Sequence, residues 1–180
     1  MSGRPDWPSV PVRLRPLAIG DVDAVHEWAQ REDACRYQPW GPNTLEQTRA
    51  FVREAVDSWT SRPQHRFVYA VVADSRVVGT AELRLRGNDQ GEIAYLVHPD
   101  YWGRGLATAA ARQLLVAGFV GHSLHRIFAT CDPRNNASRR VLEKIGMAYE
   151  GRMRETIRIR DGWRDSDLYA ILCHEMTGGT

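Results

Sequence analysis

The spacing of apolar and polar residues changes period repeatedly along the chain, and each change marks an element. Val12 to Leu17 (VRLRPL) alternates with period two and predicts a strand. Asp21 stands in N-cap position before DVDAVHEWAQRE, where Val22, Val25 and Ala29 fall on one helical face. CRYQPWGPN holds two prolines and a glycine and predicts a loop. Thr44, with Gln47 three residues later, forms a capping box that opens a second helix striped by Phe51, Val52, Ala55, Val56 and Trp59. RFVYAVVA and RVVGTAELRLR are β-rich runs joined by Asp74 and Ser75, which suits an antiparallel hairpin. In the second run Ala81, Leu83 and Leu85 alternate with Glu82, Arg84 and Arg86, leaving one face wet. EIAYLV (Glu92 to Val97) is apolar at nearly every residue and predicts a central strand buried on both faces.

A third helix is predicted from Gly105 to about Phe119, followed by a short strand at HRIFATC. DPRNNASRRVLEKIG predicts a fourth helix, with Asn135 as N-cap, a stripe of Ala137, Val141 and Ile145, and Gly146 just past its end. The remainder predicts two long strands joined at Asp161-Gly162 or by a short loop near Trp163. The order β α α β β β α β α β β mixes hairpins with crossovers. It predicts an α/β (α+β) fold with a mixed, largely antiparallel sheet and helices on both faces.

Composition narrows the function classes. The 180 residues, 43% hydrophobic, suit one compact domain over 12–176 after a short Pro-rich arm over 1–11. A formal net charge of +2 lacks the field of a dedicated nucleic-acid binder, so no DNA partner is expected. Cys35, Cys131 and Cys173 are odd in number and share no metal-type spacing, which speaks against a disulfide framework and a zinc site and for a reducing cytoplasm. No apolar run approaches membrane-spanning length and the start carries no signal-peptide core, so neither a membrane partner nor processing is expected.

The chemistry concentrates at HPDYWGRGLATAA, His98 to Ala110, where the central strand stops and a helix begins across Gly103 and Gly105. Such glycines let backbone approach a ligand, and a helix start carries amides without partners, which together can cradle a phosphate. A tight turn, a helix cap and close helix–sheet packing account for the same residues. A P-loop would need a Gly-Lys-Ser/Thr ending, and a dinucleotide fingerprint an acidic residue about twenty positions on; neither is present.

AYLVHPDYWGRGLATAAARQLL, followed by DPRNNASRRVLEKIGM and YEGRMRE, resembles the GNAT superfamily of acyl-CoA-dependent N-acetyltransferases. More narrowly it is similar to the RimJ/RimL-like branch, whose named members acetylate the N-termini of ribosomal proteins. The usual Gln/Arg-x-x-Gly-x-Gly/Ala pattern is met by Trp102, Gly105 and Ala107, Trp102 being a departure that suits this branch. The resemblance implies a sheet splayed after the fourth strand and acetyl-CoA as cosubstrate, with no metal. It places Trp102, Gly103, Arg104, Gly105, Leu106, Ala107 and Thr108 around the coenzyme A diphosphate and Leu96 and Val97 along the pantetheine. Asn135 would hold the pantetheine arm and Ser138 would lie near the sulfur.

Direct transfer to an amine needs a proton for the departing thiolate, for which Ser138 is the candidate, with cap support as its other reading and Tyr149 as a weaker substitute. Glu92 is the candidate base; Glu82, Glu155 and His98 are further options. An α-amine, with a pKa of about 8, needs little help. Cys131 reads as a small buried residue, nucleophilic catalysis being remote. Tyr37 and Trp40 would border the acceptor pocket. The acceptor, a protein N-terminus or a small-molecule amine, stays open, as does a homodimer paired through the late strands. A noncatalytic acyl-CoA-binding module is the rival reading. An RNA or ribosome binder rests only on Arg152, Arg154, Arg158, Arg160 and Arg164, a run that also suits a solvated strand face.

Overall fold

The structure, a computed structural model, describes residues 11–87 and 89–176. Residues 1–10 of the expected arm lie outside these, as does Asn88. The elements run β1 (Arg13–Pro16), α1 (Val22–Ala29), α2 (Glu32–Cys35), α3 (Leu45–Asp57), β2 (Arg66–Ala73), β3 (Arg76–Arg86) and β4 (Gln90–Val97). They continue with α4 (Leu106–Val116), β5 (Arg126–Cys131), α5 (Asn136–Lys144), β6 (Ala148–Ile159) and β7 (Gly162–Leu172). This is the predicted order with one added turn of helix. The first helix ends before Glu32 because Asn43 N donates to Ala29 O at 2.8 Å and Arg31 is extended, so α2 starts afresh.

Local signals that complete themselves within a few residues are realised. Thr44 Oγ1 accepts from Gln47 N at 3.2 Å while Gln47 Oε1 accepts from Thr44 N at 2.8 Å, closing the capping box of α3. Asp74 and Ser75 both take positive φ, the two-residue turn that matches strand twist between β2 and β3. Asp21, by contrast, does not cap α1. Its carboxylate turns back to accept from Ala18 N at 2.8 Å and from Arg15 at 2.7 Å, because the strand just before it supplies a guanidinium.

Seven strands form one sheet in the order β1-β2-β3-β4-β5-β7-β6, every neighbouring pair antiparallel except β4 with β5. One core cluster packs Leu106, Ala110, Leu114 and Leu142 from α4 and α5 against Leu83, Ile93, Val97 and Ile127. The other packs Val25, Trp28, Val52 and Ala55 from α1 and α3 against Val68, Ala70 and Val72. Helices therefore cover both faces.

The sheet opens in its middle. β4 and β5 pair only at Gln90–Arg126, Gly91–Ile127 and Glu92–Phe128. Beyond those positions β4 stays with β3 up to Val97, and β5 stays with β7 up to Cys131. This opening corrects the expectation that β4 is buried on both faces: Ala94 is exposed and Glu92 half-buried, because a strand that has lost one neighbour fronts a cavity.

Candidate active site

The opening leads into a cavity of about 840 Å³ that passes through the sheet. Side-chain alternation gives it two walls. Tyr95, with Ile93 and Val97, faces α4 and α5, while Glu92, Ala94 and Leu96 face α1, α3 and the loop over 36–44.

Backbone alternation matters as much. His98 N donates to Val78 O at 2.8 Å, which sets the phase of the β3–β4 ladder. In that phase Leu96, Ala94 and Glu92 exchange bonds with β3, whereas Ile93, Tyr95 and Val97 turn their amides and carbonyls toward the opening. Of the expected pair, Leu96 has its main chain committed to β3 while Val97, like Tyr95, turns its main chain toward the opening. The Val97 carbonyl already accepts from Trp102 Nε1 at 2.8 Å, and Trp102 is otherwise exposed.

The turn after β4 is built as an amide-rich bend. Pro99–Tyr101 forms one short helical turn capped by His98 Nδ1, which accepts from Asp100 N at 3.1 Å. Gly103 and Gly105 then take φ of +77° and +76°, the left-handed region that costs other residues about 1 kcal/mol or more. Gly105 is the N-cap of α4 and offers no side chain to its amides. The first i to i−4 bond is Ala109 N to Gly105 O at 3.0 Å, and among the described residues the amides from Gly103 to Thr108 have no internal acceptor. Arg104 lies over the Tyr101 ring at 4.9 Å and donates to Asp100 O at 3.3 Å, so its guanidinium is folded onto the turn.

Asn135 caps α5 as predicted, its Oδ1 accepting from Ser138 N at 3.0 Å. The Ser138 hydroxyl is spared by this main-chain bond. It lies 3.2 Å from the Tyr95 hydroxyl, which also donates to Ser138 O at 3.2 Å. Nothing in the sequence spacing singles out Tyr95, because its partner lies on a distant helix. Burial, only partly offset by the bond to Ser138, pushes the Tyr95 phenol well above its usual range and keeps it protonated.

The carboxylates of the cavity are mostly committed to arginines. Glu92 accepts from Arg86 Nε at 3.0 Å and from its Nη2. Glu82 is clamped by Arg66, with Nε at 2.7 Å, and by Arg84. Burial works against a charged Glu82, yet the two guanidinium partners outweigh it and hold the carboxyl below the ordinary range. A carboxyl held below its ordinary range is a poorer proton acceptor, so Glu82 is a weaker candidate base. Glu82→Gln is expected to lower unfolding free energy at pH 7 by about 2 kcal/mol, the cost of stripping a buried ion pair discounted for its half-exposed arginines. Because the folded pKa lies below the unfolded one, this contribution is full above the ordinary carboxylate range and lost as pH falls through the folded value. Denaturant titrations should find the difference between the two proteins shrinking below about pH 4.

The remaining candidates separate from the chemistry. His98 is buried between Trp28 and Tyr101, and Glu155 is exposed on β6. Tyr149 packs its exposed ring edge-on to Tyr169. Cys131 lines the cavity, but burial pushes its thiol up to about 11, so little thiolate is present near neutrality. Among the described residues no cluster of His, Cys, Asp and Glu could hold a metal ion, and no helix is long and apolar enough to cross a membrane.

The Acetyltransferase (GNAT) domain family matches residues 12–148. An N-acetyltransferase of Bacillus subtilis, YnaD, is 32% identical over 163 residues, covering 90% of this chain and 94% of the relative. The spermidine N(1)-acetyltransferase of Escherichia coli is 28% identical over 170 residues, covering 91% and 87%. Among solved structures, Mycobacterium smegmatis RimJ in complex with CoA-disulfide superposes with a TM-score of 0.81 at 26% identity, covering 91% of this chain and 83% of that one. Beside a sheet opened between β4 and β5 and a glycine turn ahead of α4, the family match over residues 12–148 makes the chain a member of the GNAT acetyltransferase family, an acetyl-CoA-dependent N-acetyltransferase.

Proposed function

We propose that the chain moves the acetyl group of acetyl-CoA directly to a primary amine while both substrates are bound. The observation that carries this reading is the run of amides from Gly103 to Thr108 without internal acceptors, at the mouth of an opened sheet. Helix-start amides favour an anion, and a diphosphate presents oxygens to several of them at once. The main-chain groups of Ile93 and Tyr95, aimed into the opening, suit the amides of a pantetheine arm, and an amide on that edge suits the oxyanion formed as the amine attacks. Asn135 would hold the arm through the rest of its side chain.

In the transfer the amine nitrogen bonds to the thioester carbon, the carbon–sulfur bond breaks, and the thiolate takes a proton. Ser138 is the donor in this account. Tyr95 acts as a positioning residue: its hydroxyl donates to Ser138 O and lies 3.2 Å from Ser138 Oγ, which holds the serine side chain beside the place of the sulfur. Glu92, on the wall opposite, takes the proton of the amine through water, a role its bond to Arg86 tempers and an α-amine scarcely requires.

The test is release of free thiol from acetyl-CoA across N-terminal peptides, amino acids, aminoglycosides and polyamines. Amine-dependent release with an N-acetylated product is expected. Thermal stabilisation by coenzyme A with no thiol release across that panel would instead indicate a noncatalytic acyl-CoA-binding module.

A further inference from the structure

Among the described residues lining the cavity, one buried cation makes no ion pair. Arg164 of β7 is only 9% exposed, and it lines the wall that also carries Glu92 and Tyr37. One guanidinium nitrogen donates to Tyr37 O at 2.9 Å and the other to Ser166 Oγ at 3.2 Å, while Nε has no acceptor. Both partners are neutral. The carboxylates around it are each committed elsewhere: Asp132 gives both oxygens to Arg134, at 2.7 and 3.0 Å, and Asp167 gives both to Arg152, at 2.7 and 3.2 Å. Glu82 and Glu92 hold their own arginines. Among the described residues no carboxylate lies within salt-bridge distance of Arg164.

A guanidinium cannot shed its charge, so burying it among neutral acceptors is costly unless an anion arrives. A brace between β7 and the loop carrying Tyr37 would need only a neutral donor. Burial lowers the Arg164 pKa, and although Asp132 and Cys131 work against that while Arg134 adds to it, the loss of solvent is not made up. We infer that Arg164 receives a carboxylate of the acceptor. The amine acetylated then belongs to a molecule that also carries an acid group, as in a free amino acid or a protein N-terminus with an acidic side chain near its α-amine. This rests on the reading of the cavity as the acceptor site, and it separates the chain from the relative named for spermidine, a substrate without a carboxylate.

The experiment compares matched acceptors on the unaltered full chain with saturating acetyl-CoA. Amino acids are set against their amides, N-terminal peptides with aspartate at the second position against those with asparagine, and spermidine serves as an amine with no acid. The acid member of one pair should be favoured at least tenfold in kcat/KM, mainly through KM, as expected for a desolvated charge pair; which pair responds identifies the free or peptide-borne carboxylate. Arg164→Gln should bring that ratio close to one while coenzyme A affinity stays unchanged, and Arg164→Lys should retain part of the preference. Equal use of both members, preference for spermidine, or a preference that survives Arg164→Gln would overturn the inference and leave acetyl transfer standing. Coenzyme A binding without thiol release from any amine would remove both. If the glutamine variant does not fold, Arg164→Lys decides: a weakened preference supports the inference and an unchanged one overturns it.

Discussion

Thr108→Glu is expected to abolish tight coenzyme A binding while leaving the protein as stable as before or slightly more so. The two effects have opposite signs for one reason. Thr108 is the third residue of α4, half-buried in a first turn that contains no acidic residue. A carboxylate there meets the positive end of the helix dipole and can accept from free amides, worth about 0.3–1 kcal/mol to the folded state. A bound diphosphate would meet the same carboxylate at close range, where repulsion of about 4 kcal/mol between unit charges is the scale near a protein surface. A loss of affinity of about a hundredfold or more follows, measurable by calorimetry, beside a thermal midpoint that holds or rises. If the turn were only a structural cap, the variant would gain the same stability and bind coenzyme A as well as the parent.

Ser138→Ala should lower kcat by about a hundredfold or more, the usual scale for loss of a positioned general acid, with little change in coenzyme A affinity. Helix α5 keeps its cap in this variant, because Asn135 accepts from the main-chain nitrogen of residue 138. Tyr95→Phe removes the hydroxyl that fixes the serine and should lower kcat about tenfold, one hydrogen bond's worth of alignment. Alignment matters only while the serine is there to be aligned, so the double variant should be no slower than Ser138→Ala alone. Multiplying losses would give Tyr95 a structural role of its own, and an unimpaired Ser138→Ala would remove the serine from the chemistry.

The parts of this molecule that were legible in the sequence are those closed by near neighbours. The Thr44–Gln47 box, the Asp74-Ser75 hairpin and the Asn135 cap each need only three or four consecutive residues, and each formed. Asp21 has the residue type of a cap, yet Arg15, across a turn, claims its carboxylate first. An apolar run such as EIAYLV cannot say whether its second neighbour stays paired, so the opening beside β4 entered only through a family resemblance. Tyr95 and Ser138 meet across 43 positions of chain, and no local period records such a meeting. Arg164 was hidden among five late arginines of similar spacing. What distinguishes it is the loop over 36–44 lying across its strand face, a fact of tertiary packing.

The amides between Arg104 and Thr108 are proposed to hold the diphosphate of coenzyme A. The decisive experiment follows the backbone amide resonances of the isotopically labelled chain as coenzyme A is added. The amides of Arg104 to Thr108 should shift strongly and gain protection from exchange, and adenosine, lacking the diphosphate, should leave them in place. Resonances of that turn unmoved at saturating coenzyme A, with changes confined to other parts of the chain, would contradict it.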